Sequence, residues 1–226
     1  MNVAENLKQV QATIKDACER SGRNTEDVTV IAVTKYVSTD RAQEAVDNGI
    51  FHLAENRKEG LLEKQEFIHD DRVTWHLIGT LQTRKVKDVM GKIDYFHALD
   101  RLKLANELNK RIKEGTLNCF VEINISGEES KHGITEDQLD SFIDALASYE
   151  HLRVVGLMTM APNTGDRDVI RHVFHRLRIL RDRIQDRKIH YAPCTELSMG
   201  MSHDYEIAVE EGATFVRIGT SLVGNE

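Results

Sequence analysis

Short runs of β-branched and aromatic residues alternate with amphipathic stretches along the whole chain, and this alternation restricts the fold more than any other feature. The runs fall at Val28 to Thr34, Phe51 to Ala54, Thr74 to Ile78, Tyr95 to Ala98, Cys119 to Ile125, Val154 to Met158, Thr195 to Ser198 and Thr214 to Ile218. Each has the length and composition of a buried parallel strand. Between them, helical spacing predicts helices over Asp40 to Asn48, Arg57 to Ile68, Arg84 to Met90, Leu102 to Lys113, Glu136 to Tyr149, Asp168 to Asp186 and Tyr205 to Glu211. A further helix, Asn6 to Ser21, precedes the first strand. Strands joined through helices make right-handed crossovers and a parallel sheet covered by helices. Eight units in 226 residues average about 28 residues each, close to one βαβ unit. The expectation is an α/β chain forming a single (β/α)8 TIM barrel over residues 1–226. An open doubly wound sheet is the alternative, but Thr34-Lys35-Tyr36-Val37-Ser38 after the first strand is no glycine-rich dinucleotide turn.

Composition narrows the function classes. With 40% hydrophobic and 30% charged residues and only 2 Pro, the chain can fill a core and is not of the disordered type. Its apolar runs are far shorter than the roughly 20 residues a membrane span needs. Met1 to Ala12 contains Glu5, Asn6, Gln9 and Gln11 and lacks a signal-peptide core, so a cytoplasmic location is expected. Cys18, Cys119 and Cys194 are isolated thiols without metal or redox spacing. A net charge of −7 disfavours nucleic acid as a general partner. The arginines between Arg171 and Lys188 share a segment with Val173, Phe174, Leu177, Leu180 and Ile184 at helical spacing, which predicts an amphipathic helix with a solvated basic face.

In a barrel of this kind the functional face is built from the C-terminal ends of the strands. Lys35 follows the first strand directly, so its amine is expected to emerge from an apolar interior, where desolvation would favour the neutral, nucleophilic form. A solvated lysine just past a strand explains the position equally well. After the seventh strand comes Ser198-Met199-Gly200-Met201-Ser202-His203-Asp204, with Ser202 expected as the N-cap of the next helix. The eighth strand ends in Arg217-Ile218-Gly219-Thr220-Ser221. Small residues and hydroxyls in these two loops suit a phosphate. With Lys35 they describe a site for a phosphorylated aldehyde.

Several longer stretches carry a resemblance: Val33-Thr34-Lys35, Ala54-Glu55-Asn56, Trp75 to Gln82, Ile123 to Gly133, Gly156-Leu157-Met158, Leu197 to Ser202 and Val216 to Thr220. In this order they closely resemble the pyridoxal phosphate homeostasis protein family, also described as alanine racemase N-terminal-domain-like. The resemblance implies a barrel of the alanine racemase N-terminal-domain type that binds pyridoxal 5'-phosphate (PLP) as an aldimine on Lys35. It implies that Ser202, Gly219 and Thr220 hold the phosphate, that Asn56, Met158 and Ser198 surround the cofactor, and that Arg217 approaches the ring nitrogen. His76 lies in a matched motif and is a further binding candidate, as is Lys131 in the loop after the fifth strand. Racemases of this type carry a second β-domain after the barrel, whereas this chain ends six residues beyond Thr220. The expectation is therefore a PLP carrier without a C-terminal β-domain, monomeric, with little or no turnover and with apo PLP-dependent enzymes as acceptors. A small PLP-dependent racemase using Tyr36, His76 or Lys131 as acid or base, and a Schiff-base aldolase, are the alternatives. Core packing is the simpler reading of His97 and Met160, and a surface helix face that of His172 and His175.

Overall fold

The computed structural model describes residues 2–128 and 132–224. Eight parallel strands close in sequence order: β1 (Thr29–Val33), β2 (His52–Glu55), β3 (Thr74–Leu77), β4 (Tyr95–Leu99), β5 (Leu117–Glu122), β6 (Leu152–Met158), β7 (Glu196–Ser198) and β8 (Phe215–Ile218). The barrel is sealed where Thr29 to Ala32 pair with Phe215 to Ile218. Around it lie α1 (Val3–Ser21), α2 (Thr39–Asp47), α3 (Lys58–Phe67), α4 (Val86–Val89), α5 (Leu102–Arg111), α6 (Leu139–Ala145), α7 (Arg167–Asp186), α8 (Tyr205–Glu210) and the short α9 (Thr220–Val223). The strands run from a lower mouth at their N-terminal ends to an upper mouth at their C-terminal ends.

Local chemistry sets the helix ends. Asn2 caps α1 by accepting the Glu5 N–H at 2.8 Å, and Gly22 ends it in the left-handed region at φ 68°. Asp166 caps α7 by accepting from the backbone of Asp168 and Val169. The extra helix α1 packs beside α8 and α9, and the buried Asn6 amide donates to Leu222 O at 2.8 Å. On α7, Ile170, Val173, Phe174, Leu177, Leu180 and Ile184 are all buried. Each such side chain contributes roughly 1.5–3 kcal/mol when removed from water.

Three sequence expectations shift. The fifth strand begins at Leu117 and stops at Glu122 rather than reaching Ile125, because Ile134 N donates to Glu122 O and Asn124 N to Ile134 O, turning the chain out of the sheet. The helix expected from Arg84 to Met90 is regular only from Val86 to Val89, after a 3-10 turn over Thr83–Lys85. The basic face of α7 is not simply solvated. Arg171 pairs with Glu210 and Glu211, Arg176 with Glu136, Arg183 with Asp140, and Arg187 with Asp140 and Asp144. These arginines pin the helix to its neighbours.

Candidate functional site

A cavity of about 640 Å³ opens at the upper mouth, and its wall includes Lys35, Asn56, Met158, Ser202, Arg217, Gly219 and Thr220. The sequence scattered these residues over five strand ends; barrel closure brings them together. Lys35 follows β1, and its Nζ lies 4.8 Å from the ring centroid of Tyr36, itself 63% exposed. Lys35 is exposed at the rim, so the burial expected to desolvate its amine is not present. Its neighbour Thr34 is fully buried and donates to Glu55 Oε1 at 2.7 Å. Glu55 also pairs with the buried Lys64 at 2.9 Å. A buried ion pair thus fixes the backbone from which the Lys35 side chain springs.

Asn56 sits where two loops touch. A Cβ at Gly79 would lie 2.2 Å from Asn56 O, so only glycine permits this approach. Opposite, the loops after β7 and β8 are laced by hydroxyls: Thr220 Oγ1 donates to Ser202 Oγ and Ser221 N to the same oxygen, both at 3.3 Å. Ser202 is therefore not the N-cap of α8. That position belongs to Asp204, and Ser202 lies earlier, in the turn, where it joins the β8 loop. Asp204 Oδ1 accepts from Met201 N at 2.5 Å, while burial pushes the Asp204 carboxyl upward.

The floor of the cavity is charged. Arg217 is 3% exposed and donates to Ser198 Oγ at 2.5 Å and to Thr159 O at 3.0 Å. Burial lowers its value to about 10, with Asp204 and Glu122 acting against the shift, so it remains cationic at neutral pH. Glu122, at the end of β5, also faces the cavity at 3% exposure. Burial, then Asp100, raises its carboxyl to about 7, opposed by Arg217. The sequence reading missed Glu122 because a strand carried on to Ile125 hides it in mid-strand; a strand ending at Glu122 would have marked it.

Two candidates stand behind the cavity instead of on its wall. Ser198 is fully buried under Arg217, and His76 is fully buried within the barrel between His52 and His97. Inward-pointing strand residues below the top layer cannot reach the mouth. Lys131 lies outside the described residues. Met160 lines the cavity and His97 is a core residue. His175 Nδ1 lies 3.1 Å from Glu211 Oε2 on the outer helix face. All three cysteines are buried, and burial pushes the Cys194 thiol up to about 12.

Residues 5–226 match the family described as alanine racemase, N-terminal domain. A pyridoxal phosphate homeostasis protein of Aquifex aeolicus is 40% identical over 226 residues, covering 99% of this chain and 98% of that protein. The chain belongs to the pyridoxal phosphate homeostasis protein family. A second family member, from Escherichia coli K12, is 36% identical over 229 residues, covering 99% of this chain and 96% of its own. The solved structure of PipY from Synechococcus elongatus with PLP bound superposes at a TM-score of 0.85 with 29% identity, covering 99% of this chain and 100% of that one. An alanine racemase of Clostridium difficile shares the fold at a TM-score of 0.75 and 16% identity, over 98% of this chain and 56% of the racemase. No helix among the described residues is long and apolar enough to cross a membrane.

Proposed function

We propose that this chain binds pyridoxal 5'-phosphate in the upper cavity with Lys35 as its anchor, and works in the cytoplasm as a monomeric holder and donor of that cofactor with little or no turnover. The observation that carries this reading is the convergence of one exposed amine, two hydroxyl-bearing loops and one buried guanidinium on a single cavity of about 640 Å³. The names of the relatives support it, as does the PLP in PipY. When bound, the cofactor supplies an aldehyde that condenses with amines and a pyridine ring that can withdraw electrons. Lys35 would take the aldehyde. Ser202, Gly219 and Thr220 would hold the phosphate, and a Cβ at Gly219 would approach only Val33, at 3.5 Å, so glycine keeps this wall bare. Asn56 and Met158 would flank the ring, and Arg217 would meet its nitrogen. A cation there disfavours protonation of the nitrogen and weakens the ring as an electron sink, which is the physical ground for little turnover. Apo forms of PLP-dependent enzymes are the acceptors this reading implies.

The experiment is the visible spectrum of the protein after incubation with PLP and removal of the excess, compared with Lys35→Ala. The expected result is a band that the variant loses, and borohydride reduction that fixes the cofactor to Lys35 in peptide mapping. An equal band in both proteins, or none in either, overturns the reading. One observation favours a second reading, turnover of an amino acid: Glu122 is a buried carboxyl near 7 on the cavity wall, in the range of a general acid or base. Exchange of the α-proton with deuterated solvent decides between them, and absence of exchange across a broad amino-acid panel removes the enzyme reading.

A further inference from the structure

A column of imidazoles runs through the barrel interior, unlike the branched aliphatic filling usual for this fold. His52 Nδ1 lies 2.9 Å from His76 Nε2, His76 Nδ1 lies 2.8 Å from His97 Nε2, and His97 Nδ1 lies 2.8 Å from Ser198 Oγ. Ser198 Oγ in turn receives Arg217. The column starts at the lower end of β2, passes through β3 and β4, and crosses the barrel to β7 and β8 under the upper cavity. The rings are packed face to face with aromatics. His76 stacks on Tyr95 at 4.7 Å and His97 on Phe120 at 4.4 Å.

The contacts fix the direction of every proton in the column. A guanidinium carries donors only, so Ser198 Oγ must accept from Arg217. Arg217 and His97 are the only partners of the Ser198 hydroxyl among the described residues, so its proton has one acceptor available, His97 Nδ1. His97 must then carry its proton on Nε2 and donate to His76 Nδ1. By the same step His76 donates from Nε2 to His52 Nδ1, and the His52 proton sits on Nε2. The reverse direction would leave the Ser198 proton buried without an acceptor, which folded proteins avoid. Burial lowers all three imidazoles below their ordinary value, which agrees with three neutral rings.

We propose that His97 and His76, backed by His52 and acting through Ser198, are positioning residues that hold the Arg217 guanidinium in one place and one orientation at the floor of the ligand site. This rests on the PLP reading above, since it says which group sets the cation beside the cofactor ring. The Ser198 hydroxyl serves the relay: its proton points away from the cavity and is not given to the ligand. Thr159 O fixes one Nη of the guanidinium and the relay fixes the other, so the cation cannot swing toward the phosphate loops.

The test uses 15N-histidine-labelled protein without ligand, at neutral pH. The expected spectrum shows His52, His76 and His97 neutral with the proton on Nε2; an Nδ1–H tautomer or an imidazolium at any of the three overturns the proposal. In Ser198→Ala the element that sets the direction is gone, so His97 is expected to lose its single tautomer and PLP retention to fall about tenfold, with Lys35 still the residue fixed by borohydride. Ser198→Thr keeps the hydroxyl and is expected to restore both. Tautomers and retention unchanged in Ser198→Ala would sink the proposal. Failure of the wild type to take up PLP would instead remove the functional reading, while the tautomer spectrum, which needs no ligand, still judges the relay.

Discussion

The lower mouth of the barrel holds the larger hollow, about 920 Å³ against about 640 Å³ at the upper mouth, yet three of its four lining arginines are already engaged with their surroundings. Around the lower hollow Arg178 faces Glu211 at 3.5 Å, Arg181 is bonded to Asp182 and to Thr195 O, and Arg23 donates to Val209 O at 2.6 Å. At the upper mouth the Lys35 amine meets, among the described residues, only the face of a tyrosine, and the Glu122 carboxyl faces the cavity. The difference teaches that room does not make a site. A ligand needs donors and acceptors that the fold has not already matched, and strand direction places those at the upper mouth.

Removing the amine is the sharpest way to break this comparison. Lys35→Ala is expected to cut PLP retention at least a thousandfold, or about 4 kcal/mol, measured by gel filtration of the loaded protein. Its unfolding midpoint should stay close to wild type, because the side chain is exposed. Retention unchanged would make the two mouths equivalent.

Next in size is the pH dependence contributed by Glu122. Its folded value of about 7 lies above the ordinary 4.5, so the stability it contributes is complete below about 4.5 and is lost as pH rises through 7. Glu122→Gln should escape that loss. Its stability relative to wild type should grow by up to about 3 kcal/mol between pH 4.5 and 8, read by urea unfolding of ligand-free protein. Parallel pH profiles would show that the carboxyl is matched after all, and the contrast between the two mouths would fall.

Smaller effects sharpen the contrast. Ser202→Ala removes the oxygen that ties the β7 and β8 loops, and PLP affinity is expected to fall about tenfold, near 1.4 kcal/mol, in an equilibrium titration. Arg178→Ala at the lower mouth breaks a partly exposed ion pair. It should leave PLP affinity unchanged and cost less than about 1 kcal/mol of stability. A larger loss of PLP affinity from Arg178→Ala than from Ser202→Ala would reverse the assignment of the two mouths.

Much of this was legible in the sequence. The strand and helix runs announced the barrel, because parallel strands buried on both faces must be continuously apolar and their connecting helices must be amphipathic. Lys35, Gly219 and Thr220 could be singled out because each lies within two residues of a strand end. Ser202 was singled out in the loop after the seventh strand, but as a helix cap, since a serine ahead of a helical run looks the same whether it bonds that helix or a loop folded against it. Glu122 and the Glu55–Lys64 pair stayed hidden, as their significance depends on burial and on where a strand ends to within a residue or two.

By itself, then, the sequence determined the alternation of elements, the closed barrel it builds, and the strand ends at which chemistry can sit, because side-chain periodicity and turn chemistry are local properties of the chain. Only the tertiary structure decided which of those residues share a cavity and which stand behind it. Ser198 and His76 look like site residues in the sequence, yet the inward pleat of their strands turns them into the interior. There, contacts between residues 19 to 101 positions apart join three histidines, a serine and an arginine into one directed chain. Hydrogen-bond direction of that kind depends on which donor-only group is brought to the end of the column, and folding alone brings it there.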